Sequence, residues 1–225
     1  MLPVPAMNVE LADQLLTTTR SVRKRLDLKR PVETALIQDA LEIALQAPTG
    51  SNAQGWHFVV VTDAKKRAGV AALYKRAFGL YTSSGSPMRT ELPPEDLRAQ
   101  QFPRILDSAA YLAEHLHEVP VHVVPCVEGR VENAGVLAQA SVYGSILPAV
   151  WSLMLALRAR GLGSAWTTLH LMFEQEAADI LGLPPTITQT ALIPVAHYTG
   201  KDFKPAKRLP ATQQTHWDAW GNKRR

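Results

Sequence analysis

The sequence predicts a layered α/β or α+β domain built on a central sheet. Three observations carry that reading. Segments with helical spacing of apolar residues alternate along the chain with short runs rich in β-branched residues. The 225 residues are 46% apolar and 20% charged, enough for one sizeable core and outside the composition of a disordered chain. No repeat at a solenoid period and no low-complexity linker divides the chain, so one domain is expected. At this length about 70–75% of the unfolded surface can be buried, so neither disulfides nor a structural metal is required. The one cysteine, Cys126, has no intrachain partner, which fits a reducing compartment.

Taken in order, Val9 to Thr18 reads as a helix, followed by the basic run Arg20, Arg23, Lys24, Arg25, Lys29, Arg30. Pro31 suits the first turn of a second helix, in which Leu36, Ala40, Ile43 and Ala44 recur at helical spacing until Pro48 ends it near Gln46. Trp56 to Thr62 is too short and too β-branched for a helix and reads as a buried strand. Asp63 can cap a helix running to about Phe78, and the turn formers of TSSGSP and LPPED then mark a lid-like loop. A helix from about Glu95 to His117 precedes a second strand, Val119 to Val127, which carries two prolines. A long helix from about Gln139 to Arg160 ends at Gly161, with Arg158 and Arg160 in its last turn. A short strand at Ala165–Leu169, a helix at Phe173–Leu181 and a last strand at Thr186–Tyr198 complete the series.

No charge occurs from Asn133 to Leu157, a stretch long enough to span a bilayer. Its polar side chains, among them Asn133, Gln139, Tyr143 and Ser152, argue instead for a helix buried inside a protein core. The amino terminus, MLPVPAMNVELADQ, lacks the basic and apolar regions of a secretory signal, so a cytoplasmic location is expected. The net charge of +4 permits anionic partners without demanding nucleic acid. Nucleic-acid binding through the Arg20–Arg30 cluster and the terminal Lys223-Arg224-Arg225 is a minor option, because acids balance the charge and no reading helix is recognisable.

Standard catalytic constellations are weak. His115, His117 and His122 lie close together, but no cysteine pair or HExxH accompanies them, and core or solvated histidines are the expected state. Cys126 shares a strand face with His122, an arrangement that core packing explains equally well. Gly161-Leu162-Gly163 follows a helix and lacks a third glycine, so no dinucleotide-binding loop is supported, and no GxxxxGK[ST] is present. What stands out is a set of anion-binding and amide-rich segments far apart in sequence. Arg20-Ser21-Val22-Arg23 offers two guanidiniums and a hydroxyl suited to a phosphate, or simply a solvated basic face. Pro48 to Gly55 presents hydroxyls and amides that donate and accept. Lys204 to Arg208 adds positive charge near the end of the chain.

Together, TRSVRKR (19–25), APTGSNAQGWHFVVV (47–61), GSILPAVWSLMLALRARGLGSAWTTL (144–169), IPVAHYTG (193–200) and KPAKRLP (204–210) resemble the FMN-dependent nitroreductase family, in the family's order. The resemblance runs from about residue 15 to 210. It implies an α+β fold with a central, mostly antiparallel sheet flanked by helices, an intertwined homodimer with FMN at the subunit interface, and residues 200–225 as an extended arm. It further implies that Arg20, Ser21 and Arg23 hold the phosphate, ribityl chain or pyrimidine edge of FMN, with Arg208 closing on the phosphate. Pro48, Thr49, Gly50 and Asn52 would come from the partner subunit, Ser145, Ile146 and Leu147 would pack near the ring, and the backbone at Thr168 and Leu169 would face its redox edge. Two positions depart from the pattern: Thr19 stands where a basic residue is common, and Gly55 replaces a usual proline.

In this family the flavin performs the chemistry, so no catalytic acid, base or metal is expected of the chain. The resemblance implies an NAD(P)H oxidoreductase that reduces nitroaromatic, quinone or related small acceptors by ping-pong hydride transfer through the flavin N5. Arg23 is the candidate for the positive charge near flavin N1/O2, with the phosphate as its alternative partner. A flavin store or sensor with little turnover is the alternative function, motivated by the uninterpreted segment from Tyr81 to Pro103. Neither nucleic acid nor membrane is an expected partner.

Overall fold

The computed structural model describes residues 8–83, 92–201 and 203–223. Its helices are α1 (Val9–Thr18), α2 (Thr34–Ala44), α3 (Ala64–Ser83), α4 (Leu97–His115), α5 (Val136–Ala159), α6 (Glu174–Leu181) and α7 (Ala211–Gln214). Its strands are β1 (Trp56–Val61), β2 (Val121–Glu128), β3 (Leu162–Ser164), β4 (Ile187–Gln189) and β5 (Ile193–His197). The sheet runs β1-β2-β5-β3, with β4 also on β2, and each of these ladders is antiparallel. This is the α+β architecture that the resemblance implies.

The apolar run of β2 is continuous because helices cover both of its faces. Val121, Val123 and Val127 face a layer made by α2 and α5, where Ile37, Ala40, Ile146, Val150, Leu153 and Leu157 are buried. Val124 and Cys126, on the opposite face, meet Val70, Tyr74, Leu112 and Leu116 from α3, α4 and the turn after it. Alternation along one strand thus divides the core into two helical layers. Burial drives the Cys126 thiol up to about 12, which leaves it unreactive at neutral pH.

Pro125 breaks no ladder because it sits opposite a bulge. Cys126 pairs with Gln189 and Val123 with Ile193, so three residues of the β4–β5 segment oppose two of β2. Here the Pro125 carbonyl accepts from the Thr190 N–H at 2.9 Å. The single strand expected from Thr186 to Tyr198 is for this reason two strands. The extra residue lets Leu192 exchange two main-chain hydrogen bonds with Thr167, at 2.8 and 3.1 Å.

Other expectations need correction. Helix α2 starts at Thr34, after Glu33, so Pro31 lies in the approach and not in the first turn. Asp63 does cap α3, accepting from the Lys66 N–H at 2.9 Å, but the helix continues to Ser83. The strand expected at Ala165–Leu169 lies earlier, at Leu162–Ser164, and Leu169–Phe173 forms a 3-10 turn. Helix α5 begins at Val136, three residues before the expected start. Most of TSSGSP, residues 1–7 of the leader reading and the terminal Arg224-Arg225 lie outside the described residues.

Two histidines are buried with ring nitrogens left unpartnered. The His122 Nε2–H donates to the Leu116 carbonyl at 2.9 Å, and its Nδ1 has no partner. His170, in the turn before α6, has neither ring nitrogen partnered. Burial lowers both to about 4 from 6.5, so both are neutral in the folded chain at pH 7. Between those values the unfolded chain binds more protons than the folded one. Their contribution is therefore complete above pH 6.5 and is lost as pH falls toward 4, by on the order of 1–3 kcal/mol for each ring. Thermal unfolding should show a melting temperature that drops from pH 7 to pH 5, with a shallower drop in His122→Gln and His170→Gln. A melting temperature equally flat in all three chains would refute the assignment.

Candidate functional site

The segment between α1 and α2 is held to the sheet edge by its main chain. Ser21 bridges Ser164 in parallel, the Val22 N–H donates to the Ser164 carbonyl at 2.8 Å, and the Asp27 N–H donates to the His197 carbonyl at 2.7 Å. Val22 and Leu26 turn inward and are buried at 3% and 4% exposure. The close approach requires a glycine: a Cβ at Gly163 would stand 3.1 Å from the Val22 side chain and 3.2 Å from Leu26. With the apolar side chains inward, Arg20 and Arg23 line a cleft of about 930 Å³.

The far end of the chain forms the opposite wall of this cleft. Arg25 secures it: the Nε–H donates to the Thr199 carbonyl at 2.7 Å, Nη2 donates to the Lys201 carbonyl, and the guanidinium lies 4.1 Å from the Phe203 ring centroid. Lys204 to Arg208 then run along the cleft, and the Arg20 Nη1–H donates to the Lys204 carbonyl at 3.4 Å. Arg20 and Arg208, separated by most of the sequence, are brought together. Burial and then the charges of Arg208 and Arg104 lower the Arg20 pKa.

Arg23 sits deeper. Its Nη1–H donates to Ser108 Oγ of α4 at 3.4 Å, and its Nε is buried with no partner. Burial lowers its pKa, an effect partly offset by Tyr74, whose hydroxyl burial pushes up to about 12. Trp151, Met154 and Trp166 complete the wall. The cleft can therefore grip an anion at its basic side and cover a flat apolar group at the other. Arg104 on α4 belongs to this cluster and escaped the sequence reading.

The remaining expected site residues do not line this cleft. Pro48 to Gln54 form an exposed loop in which Ser51, Asn52 and Gln54 take φ of 53°, 54° and 49°. Three side-chain-bearing residues in the left-handed region within four positions mark a loop whose shape is imposed by its hydrogen bonds. The Gly50 N–H donates to Ser145 Oγ at 3.0 Å, the Gln54 N–H to Thr49 Oγ1 at 3.2 Å, and Gln54 Nε2 to Asn52 Oδ1 at 3.0 Å. Of the α5 residues, Ser145 and Leu147 are half-buried, while the Ile146 side chain is wholly inside the α2–α5 core. Thr168 is exposed, and Leu169 packs partly on the other core layer. Among the described residues no group of three or more histidine, cysteine or acidic side chains gathers as for a metal.

Fold and cleft define an α+β protein with a basic, tryptophan-walled site at one edge of an antiparallel sheet. The chain belongs to the nitroreductase family, whose model matches residues 16–197. It is similar to an NADH dehydrogenase of Thermus thermophilus, 30% identical over 213 residues that cover 88% of this chain and 91% of the relative. Among solved structures, the FMN and NADPH-dependent nitroreductase NfnB of Sphigopyxis sp. strain HMH superposes with a TM-score of 0.67 at 22% identity, covering 93% of this chain and 99% of its own. An iodotyrosine deiodinase bound to FMN and 3-iodo-L-tyrosine gives 0.64 at 21% identity, covering 91% and 94%.

Gly163→Val should destabilise the chain by about 1–3 kcal/mol through overpacking against Val22 and Leu26. Chemical denaturation measures that loss. A variant as stable as the parent would show that the basic segment is not held where its main-chain bonds place it.

Proposed function

We propose that the chain is an FMN-dependent NAD(P)H oxidoreductase that works as a homodimer on nitroaromatic, quinone or related small acceptors. The observation that carries this reading is the convergence of Arg20, Arg23 and Arg208 on one cleft. The residues present fit the cofactor: Arg20 and Arg208, without an ion pair among the described residues, suit a phosphate dianion, the orphaned Arg23 Nε–H suits a carbonyl or hydroxyl acceptor, and the tryptophans suit an aromatic ring.

In this reading Arg20, Ser21 and Arg208 hold the phosphate, and Arg23 donates to the ribityl chain or pyrimidine edge. A positive charge at that edge stabilises negative charge that develops on reduction. Thr168 and Leu169 offer main-chain groups to the redox edge. Pro48, Thr49, Gly50 and Asn52 act on the neighbouring subunit's site, which accounts for their exposure and distance from the cleft of their own chain. Held there, FMN would supply hydride chemistry between NAD(P)H and the acceptor, which is the basis for expecting ping-pong kinetics.

Helix α5 supports the dimer. It is the one described helix long and apolar enough to cross a membrane, and only 39% of its most apolar window is buried within the chain. Leu137, Gly144, Pro148 and Trp151 form an exposed, uncharged stripe at spacings of seven, four and three. A second copy laid on that stripe would remove it from water. A cytoplasmic site of action fits this reading, with α5 as a helix of the assembled core.

Purified protein should show the visible absorbance of bound flavin and lose it on adding NADPH. Protein that stays colourless after incubation with FMN and desalting would remove the proposal. Arg208→Ala should weaken FMN retention by about tenfold or more, as expected for loss of a charge-assisted hydrogen bond. Leu137→Asp, a change 83% exposed in one chain and outside the cleft, should yield monomers that no longer retain FMN. A monomeric variant that binds FMN as tightly as the parent would show that each chain holds a complete site.

A further inference from the structure

One face of α4 closes the phosphate side of the cleft. Gln101, Arg104, Ile105 and Ser108 recur at helical spacing and all line it. Three contacts fix that face to the two basic segments. The Gln101 Nε2–H donates to the Lys207 carbonyl at 3.3 Å, Lys24 Nζ pairs with Asp107 Oδ2 at 2.5 Å, and Ser108 Oγ accepts from Arg23 at 3.4 Å. Arg104 stands in the middle of these contacts. Yet among the described residues neither it, nor Arg20, nor Arg208 forms an ion pair.

The missing counter-charge is informative. Lys24, beside them in the cleft, is neutralised by Asp107, and Arg25 is bound to main-chain carbonyls and stacked on Phe203. Of the four other guanidiniums, Arg23 donates to Ser108, and Arg20, Arg104 and Arg208 gather from the segment after α1, from α4 and from the far end of the chain, with the one carboxylate that lines the cleft, Asp107, paired to Lys24. Burial, and after it the charges of Arg208 and Arg104, lower the Arg20 pKa. Like charges held together in this way repel unless an anion is present. A phosphate has three terminal oxygens and a double charge, which matches three planar forks better than two.

We propose that Arg104 is a third guanidinium on the FMN phosphate, beside Arg20 and Arg208, so that cofactor binding also fixes α4 against the basic cleft. The proposal rests on the flavin reading above and adds a residue that the family resemblance did not supply.

Apoprotein of the parent, Arg104→Gln and Arg104→Lys, each shown to melt normally, is titrated with FMN and with riboflavin by flavin fluorescence. FMN binding should weaken about 10- to 100-fold in Arg104→Gln and recover in part in Arg104→Lys, while riboflavin binding stays unchanged. Amide exchange in residues 97–108 should slow on adding FMN to the parent and not to Arg104→Gln. The idea is overturned if FMN affinity changes less than about twofold, if FMN and riboflavin weaken equally, or if only the KM for NADPH rises. Should the parent bind neither flavin, the flavin reading fails separately, and inorganic phosphate becomes the probe. A rise in melting temperature with phosphate over equal ionic strength of chloride, lost in Arg104→Gln, keeps Arg104 as an anion ligand; an equal rise in both chains rejects it.

Discussion

The bond between the Val22 N–H and the Ser164 carbonyl, with its neighbours at Asp27 and Thr199, sets the position of the charges that the segment after α1 brings to the cleft. These are main-chain contacts, so they use no functional side chain. They also divide the labour along the segment. Val22 and Leu26 anchor it in the core, Arg25 clamps the far end of the chain, and Arg20 and Arg23 are left to face the cleft. Gly163 is the condition for this arrangement, because a side chain there would meet Val22 and Leu26 inside normal contact distance.

An uncompensated group of guanidiniums is costly for an isolated chain and suitable for a binding site. The cost falls on folding, where like charges are held close and Arg23 is partly removed from water. An anion that binds the folded chain offsets it and stabilises the fold by mass action. The loop from Pro48 to Gln54 has the same character, with backbone in the left-handed region held by hydrogen bonds to Ser145, Thr49 and Asn52. Both features sit where the family resemblance places cofactor contacts, and both are local departures from the rules that shape the rest of the chain.

The parts of the fold legible in the sequence are those governed by one dominant local signal. β1 and β2 are short, mostly apolar and β-branched runs, α2 carries helical spacing, α3 opens on its Asp63 cap, and α5 is a long uncharged run closed by Gly161, so their existence follows from local pattern. The misplaced elements depend on distant partners. A three-residue β3 is too short to show alternation, and only its pairing with β5, from Leu162 opposite His197 to Ser164 opposite Val195, makes it a strand. The division of β4 from β5 is decided by Pro125, more than sixty residues away, which has no N–H to offer the bulged segment. The same holds at the site. Arg20 to Arg25 announce themselves as a charge run, whereas Arg104 is one arginine on an ordinary helix until the fold sets it beside Arg20 and Arg208.

The hydrogen bond between Gly50 and Ser145 links two features that the sequence presents separately. Ser145 lies on α5, one residue from Gly144 of the exposed stripe, so the loop and the stripe are parts of one rigid unit. Whatever is laid on α5 must therefore meet the Pro48–Gln54 loop in a fixed relation. If that surface is a second copy, two-fold symmetry brings both chains' loops to the interface by the same act that covers the apolar stripes. In the proposed dimer, burial of α5 and completion of the binding site are then a single event. Such an assembly would account for the division, within one chain, into a cleft and a loop that do not meet.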